Sequence, residues 1–313
     1  MLSLIGKRLL AIIPLFFLIT LITYSLVELV PGDPAETLAG EFATPEDIEV
    51  LRKHLGLSAP LVVRYLRFLG RLLQGDFGSS LRNSQPVLRT ILDRAPATLS
   101  LVLVSLSFSI VVSALFGSIA AVRRNSWIDR VIVAGVTAGM AVPSFLIGVL
   151  LITYLAVNRS WFPATGFAPL GGGVIEWFKS LVLPGIALGV VPTAELTRQI
   201  RSAMRETLDQ DYIRTARAKG LRPGRVVLKH AAKNAAVPVV TVLGVQMGRL
   251  LGGAAVIETV FAFPGIGTLA ISAVQSGDVS VVQGIVMLGA LTVILVNLLV
   301  DISYAYFNPK LRS

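Results

Sequence analysis

The sequence predicts an all-α membrane protein with six transmembrane helices and both termini in the cytoplasm. Composition is the first observation behind this. Of 313 residues, 54% are hydrophobic and 15% are charged, and the mean hydropathy is +0.76. A soluble domain of this length needs far more polar surface. The second observation is six long apolar segments: residues 9–30, 97–122, 131–157, 181–203, 237–258 and 281–305. Each reaches the ~20 residues that, at about 1.5 Å of rise apiece, cross roughly 30 Å of hydrocarbon. The third is the placement of basic residues. Lys7 and Arg8 precede the first segment, and Arg123, Arg124 and Arg130 follow the second. The basic stretch 204–236 follows the fourth, and Lys310 and Arg312 follow the sixth. The opposing loop 158–180 holds Arg159 and Lys179, and the loop 259–280 holds no Lys or Arg. Cytoplasmic loops collect Lys and Arg, so both ends are placed there.

Taken in order, the run 9–27 resembles a signal peptide but is long for one. It is followed by "LVPGDPAE" and not by a small-x-small cleavage site. An uncleaved signal-anchor is expected. Residues 31–96 carry many Arg residues on the outer side. The segment exceeds ~60 residues, so the charge rule does not bind there. It reads as short helices. Thr44-Pro45-Glu46-Asp47 is a capped helix start, and Gly56 is its expected end. In "LVVRYLRFLGRLLQG", Leu61, Tyr65, Leu69 and Leu72 fall on one face, and Arg64, Arg67 and Arg71 on another. That pattern fits a helix lying in the membrane interface, or one packed on the outer ends of the spans. "PVLRTILDRAP" is expected to form a third short helix before the second span. Pro143 interrupts the third.

The net charge of +10 invites a nucleic-acid reading, but the flanks of membrane helices account for it. No nucleic-acid partner is expected. There is no Cys, so no disulfide framework or thiol chemistry. His54 and His230 stand far apart, without ligand spacing, so no metal site is predicted. There is no G-x-x-x-x-G-K-[ST], because "PGIGTL" at 264–269 lacks its Lys, and no H-E-x-x-H or nucleophile elbow. The chain is therefore read as a non-enzyme.

The stretch 204–236 asks for more than topology. Asp209 and Asp211 supply acid near a helix start, "YIRTARAK" continues the helix, and Gly220 is a stop with Pro223 soon after. Tyr212, Ile213 and Ala216 share a face, while Arg214, Arg217 and Lys219 point elsewhere. A second helix, "RVVLKHAAKNAA", leads to Pro238 and the fifth span. Two readings stand: a basic loop that only fixes topology, and a docking knob whose alanines permit close approach to a cytoplasmic partner.

Ionisable residues within spans point to a pathway, because burying them in lipid is costly. Glu28 and Asp301 lie near span ends. Glu195 and Arg198 stand three apart on the cytoplasmic half of the fourth span, a spacing that allows a pair across one helical face. Arg249 lies mid-way along the fifth span, in "GVQMGRLLGGAAVIE" beside Gln246, Gly252 and Gly253. Two explanations stay open for it: a structural ion pair with an acid on another helix, or a place in a cavity that favours anionic groups.

The segment 211–221, "DYIRTARAKGL", resembles the EAA loop of ABC importer permease subunits, in the form used by the peptide and nickel branch. Placing the motif Gly on Gly220 puts the family's Glu-Ala-Ala at Arg214, Thr215 and Ala216. Only Ala216 keeps the general pattern, and "RTARAKGL" is the branch's variant. "LVPGDPA" (29–35), "GDFGSS" (75–80), "PATLSL" (96–101), "VPSFLIG" (142–148), "FPATGF" (162–167) and "ETVFAFPGIG" (258–267) also resemble branch motifs, in order. The tail "NPKLRS" departs from the usual Asp-Pro-Arg by carrying Asn308. The resemblance covers about residues 5–310 and is nearest to the B-type dipeptide or oligopeptide permease.

The resemblance implies a type I ABC importer permease fold. Residues 1–96 would form the first span and the outer segment. Residues 97–305 would form a five-helix core that carries the coupling loop 204–236, and residues 306–313 a cytoplasmic tail. Asp211, Tyr212, Ile213, Arg214, Thr215, Ala216, Arg217, Ala218, Lys219 and Gly220 would couple to the ATPase. Arg249, Gln246 and Glu195 would belong to the translocation pathway. The implied partners are a second, C-type permease, two ABC ATPase subunits, an extracytoplasmic substrate-binding protein and membrane lipid. ATP and Mg would sit on the ATPases and no cofactor on this chain. The implied location is the bacterial cytoplasmic (inner) membrane, and the implied cargo is di- or oligopeptides, with nickel or another small solute as the alternative. An ion-gradient-driven secondary transporter is the competing class. It would favour buried acids at interrupted helices, and no acid accompanies Pro143.

Overall fold

The computed structural model describes residues 2–28, 35, 43–54 and 58–307. Their order is α1 (Leu2–Glu28), α2 (Pro45–His54), α3 (Leu61–Leu73), α4 (Val87–Val122), α5 (Trp127–Ala141), α6 (Ser144–Leu151), α7 (Val174–Leu208), α8 (Asp211–Ala218), α9 (Ala232–Val260), α10 (Ile266–Gln275) and α11 (Val279–Phe307). A π-helical stretch, Ile152–Val157, continues α6, and another, Val226–Ala231, precedes α9. Among the described residues no strand forms, and the only extended pairing is an isolated bridge between Ser79 and Pro86.

Among those residues, α4, α7 and Val279–Leu298 of α11 are long and apolar enough to cross a membrane. The third predicted span is α5 and α6 with its π-helical extension, bent by 99°. Pro143 explains the bend. It has no N–H to continue α5, and it drives Val142 into the extended region (φ −91°, ψ 125°). The segments 9–30 and 237–258 fall on α1 and α9; residues 29 and 30 lie outside the described residues.

Pro96 behaves differently. The expected third short helix is not separate: α4 runs unbroken through Pro96. The proline removes one N–H from the ladder. Ala97, Leu101 and Val102, all buried just beyond it, hold the following turns in place.

The chain divides into two compact units. One gathers Gly6–Ala95 and Leu269–Thr292. Its core joins Tyr24, Phe68, Leu72 and Met287. One face of α3 is packed: Phe68, Leu69 and Leu72 are buried, and the Tyr65 hydroxyl meets Thr20 Oγ1 at 2.8 Å, while Leu61, Val62, Leu66 and Leu73 are exposed. α2 begins with a reciprocal capping box. Asp47 N donates to Thr44 Oγ1 (3.2 Å), and Thr44 N and Oγ1 donate to Asp47 Oδ2 (3.1 and 2.6 Å). The Thr44 hydroxyl, then its N–H, holds the Asp47 carboxyl below its usual range. Gly56 lies outside the described residues. "GDFGSS" closes on a buried acid: Ser80 Oγ donates to Asp278 Oδ2 at 2.5 Å.

The other unit is built on Pro96–Thr268. Its main core takes Leu101, Leu181, Leu183, Ala187, Leu188, Leu250, Ile257, Phe261 and Phe263 from α4, α7, α9 and the turn that follows. That turn is "FAFPGIG". Glu258 is fully buried and accepts from Thr98 Oγ1 (2.5 Å) and Thr268 N (2.9 Å). Thr98 Oγ1 in turn accepts from Ile266 N at 2.8 Å. A Cβ at Gly267 would lie 2.4 Å from Ala255 Cα. The chain can therefore fold back along α9 only with glycine at that position.

Candidate functional site

α8 is two turns long and cannot hold its shape alone. Its seat is local. α7 ends at Leu208, Gln210 is extended (φ −70°, ψ 149°), and α8 starts at Asp211. At the far end Gly220 N donates to Arg217 O (2.9 Å) and Leu221 N to Ala216 O (3.3 Å), with Gly220 at φ +76°. This is a Schellman stop, and only glycine takes that φ without strain. Leu221 then packs with Ile213, Ala216, Val226 and Leu208.

This seat corrects the role expected for the alanine face. Ile213 is fully buried and Ala216 is 8% exposed, both against their own chain. A two-turn helix has one narrow apolar face, and the chain's own Leu208, Leu221 and Val226 occupy it. What α8 offers outward is Asp211, Arg214, Thr215, Arg217, Ala218 and Lys219. Arg214 meets Asp211 at 3.4 Å. Tyr212 is exposed along one side, and its hydroxyl accepts from Asn234 Nδ2 at 2.7 Å. The expected second helix is not separate from the fifth span. Pro223 starts a helical turn, where its missing N–H costs nothing, and the chain runs through Val226–Ala231 into α9.

A brace stands beside this seat. Asp129, on α5, is almost fully buried. Its carboxylate accepts from Arg201 Nε (2.6 Å), Arg201 Nη2 (3.0 Å) and Arg205 Nη2 (2.5 Å), both arginines lying on the last turns of α7. It also accepts from Asn125 N at 3.1 Å, while its own N–H donates to Ser126 Oγ at 3.3 Å. Arg124 adds an exposed pair with Asp209 at 2.9 Å. Sequence reasoning passed over Asp129. Its signal was Ser126-x-x-Asp129, a capping-box spacing with a lone acid among Arg123, Arg124 and Arg130.

The third cluster joins α7 and α9. Arg249 Nη1 donates to both oxygens of Glu195 (2.9 and 2.8 Å), and buried Gln246 donates to the same carboxylate through Nε2. Arg249, Gln246 and Glu195 are thus brought together. The pair that spacing allows between Glu195 and Arg198 is not formed. Gln246 and Arg249, three apart on α9, present two donors to Glu195 across the helix contact, and Arg198 stays exposed. The side chains of Glu28 and Asp301 lie outside the described residues. The bend at Pro143 leaves an open groove of about 550 Å³ beside Gly139, Val142, Ile147, Leu151 and Tyr154. It holds no charged side chain.

The family model described as binding-protein-dependent transport system inner membrane component matches residues 113–313. The model for the N-terminal part of such components matches residues 1–102. The dipeptide transport system permease protein of Haemophilus influenzae is 42% identical, with all of both chains covered. The di/tripeptide transport system permease protein of Pseudomonas aeruginosa is 41% identical over all of this chain and 99% of its own. The glutathione transport system permease protein of Escherichia coli is 39% identical over the same shares. Among solved structures, an inward-facing MetNI methionine ABC transporter has a chain that superposes with a TM-score of 0.59. It is 20% identical and covers 71% of this chain and 97% of its own, a likeness of fold. The chain belongs to the binding-protein-dependent transport system inner-membrane components, the multi-pass permease subunits of ABC importers.

Proposed function

We propose that this chain forms half of the pathway of an ATP-driven peptide importer and receives its drive through the outward face of α8. The full-length likeness to dipeptide, di/tripeptide and glutathione permeases supports the cargo. The observation that carries the drive is the seat of α8. Its apolar face is spent on its own chain, and its outward face presents Arg214, Arg217 and Lys219. A partner ATPase with an acidic groove fits that face. ATP and Mg are on that partner, and this chain supplies no catalytic group.

In this reading six spans cross the inner membrane of a bacterium, with both termini cytoplasmic. Residues 1–96 form the first span and outer segment, 97–305 the core with its coupling loop 204–236, and 306–313 a cytoplasmic tail. A second permease chain completes the pathway, and an extracytoplasmic binding protein delivers the peptide. Asp211–Gly220 is the coupling element. Ile213 and Ala216 hold it to its seat, and the Schellman stop at Gly220 fixes its length. Asp129 binds the last turns of α7 to α5, so a push on α8 moves both helices together. Glu195, Gln246 and Arg249 border the pathway, where a partly exposed ionic group is tolerable because it faces water and not lipid.

The test is uptake into vesicles that hold this chain with its companion permease and ATPases, supplied with the binding protein. ATP-dependent accumulation of a di- or tripeptide is expected. Accumulation of Ni²⁺ and not peptide, or uptake driven by an ion gradient without ATP, would refute the reading.

A further inference from the structure

Arg249 holds more donors than its ion pair uses. Both bonds to Glu195 come from Nη1, and Nε and Nη2 donate to nothing among the described residues. Those two nitrogens form one edge of the guanidinium, with parallel N–H groups spaced for the two oxygens of a carboxylate. The Arg249 side chain is 60% exposed, although the side chain of its partner Glu195 is only 24% exposed.

The surroundings favour a ligand over packing. Val245, Arg249, Gly252, Val256 and Thr259 form a continuous exposed face of α9. Apart from Arg249 this face is small and uncharged. A planar group therefore meets one strong polar anchor and little steric obstruction. Glu195 holds Nη1 from the other side, and buried Gln246 in turn donates to the Glu195 carboxylate and fixes it. The guanidinium is thus fixed in orientation, and its counter-charge on Glu195 lowers the cost of keeping a cation there.

We propose that the Nε–Nη2 edge of Arg249 is a carboxylate subsite of the pathway, fitted to the C-terminal carboxylate of a passing peptide. Glu195 and Gln246 are its positioning residues. The inference rests on the peptide-importer reading. A carboxylate on this edge gains two charge-assisted bonds without breaking the Glu195 pair. A C-terminal amide places an N–H₂ against an N–H donor and gains at most one.

The experiment compares a tripeptide with its C-terminal amide in vesicles holding the complete complex. Each peptide is supplied on binding protein saturated beforehand, so that capture drops out of the comparison. The readout is the ratio of the two uptake rates. Wild type is expected to favour the free carboxylate. Arg249→Gln is expected to slow carboxylate uptake about 10- to 100-fold, the worth of about one charge-assisted bond because water recovers part of the pair at this exposed side chain, and to bring the ratio near one. Arg249→Lys keeps the charge but not the edge, and is expected to keep only part of the preference. Glu195→Gln leaves an acceptor for Nη1 and is expected to retain the preference, whereas Glu195→Leu loses it. Equal slowing of both peptides by Arg249→Gln would make the pair purely structural and overturn the subsite. So would a wild type that does not discriminate, or an Arg249→Lys variant with the full wild-type ratio. A wild type that imports neither peptide would bring down the peptide reading itself, and the subsite with it.

Discussion

Replacing Asp129 with Asn tests the mechanical link between α5 and the coupling element. The carboxylate takes bonds of 2.6 and 3.0 Å from Arg201 and 2.5 Å from Arg205. Asn has nearly the same shape but one acceptor oxygen, so its amide N–H₂ must face an arginine donor. It also removes the charge that both guanidinium groups share. A hydrogen bond to a charged group contributes ~1.5–3 kcal/mol when buried. The arginine side chains are 26% and 20% exposed, so water recovers part of the loss. The net cost is about 2–4 kcal/mol, between a surface pair and a fully buried one. That corresponds to roughly 30- to 700-fold more frequent local opening. Hydrogen exchange of the backbone amides in 199–218 reads this directly, since α7's last turns and α8 open as one seat. Faster exchange there, with 181–196 unchanged, is the expected result. If 199–218 exchanges at the wild-type rate, Asp129 does not hold the end of α7, and the brace has no part in coupling.

Two further substitutions separate structural from docking roles. Ala216→Leu overfills the contact with Leu208, Leu221 and Val226, at a cost of ~1–3 kcal/mol, so exchange of α8 should rise even in the isolated permease. An unchanged α8 would place Ala216 on the outward face after all. Gly267→Ala puts a Cβ 2.4 Å from Ala255 Cα, where carbon atoms rest at about 3.5–4.0 Å, so the turn must shift by roughly 1 Å. The Thr268 amide would then lose its bond to Glu258 and exchange faster. Retained protection there would show that α9 yields at little cost.

Local chemistry made some of this architecture legible from the sequence. The Thr44–Asp47 cap and the Gly220 stop depend on residues a few positions apart, and both appear in the structure as read. Pro143 announced the broken span, because its effect on Val142 is also local. Other features depended on which helix lies beside which, and there the sequence misled. Glu195 and Arg198 have the spacing of a pair, but the packing of α7 on α9 offers Glu195 two better donors. Ala216 looked like an outward small face, because nothing in 211–220 reveals that Leu208 and Val226 fold over it. Pro96 looked like a break, and the burial of Ala97 and Leu101 overrode it. Asp129 was within reach of its capping-box spacing. Its two arginine partners, 72 and 76 residues away, were not.

The most direct test of the central claim reverses the outward charge of α8 and leaves its seat alone. In Arg214→Glu/Arg217→Glu, neither residue belongs to the Ile213–Ala216 core, so the permease should insert and protect α8 as wild type does. Peptide uptake and ATP hydrolysis are then measured together in the same vesicles. The account predicts that ATP-driven uptake is lost and that ATPase binding weakens most at low salt, where surface charges are least screened. Wild-type uptake by the double variant would contradict it, and the drive would have to enter the membrane elsewhere.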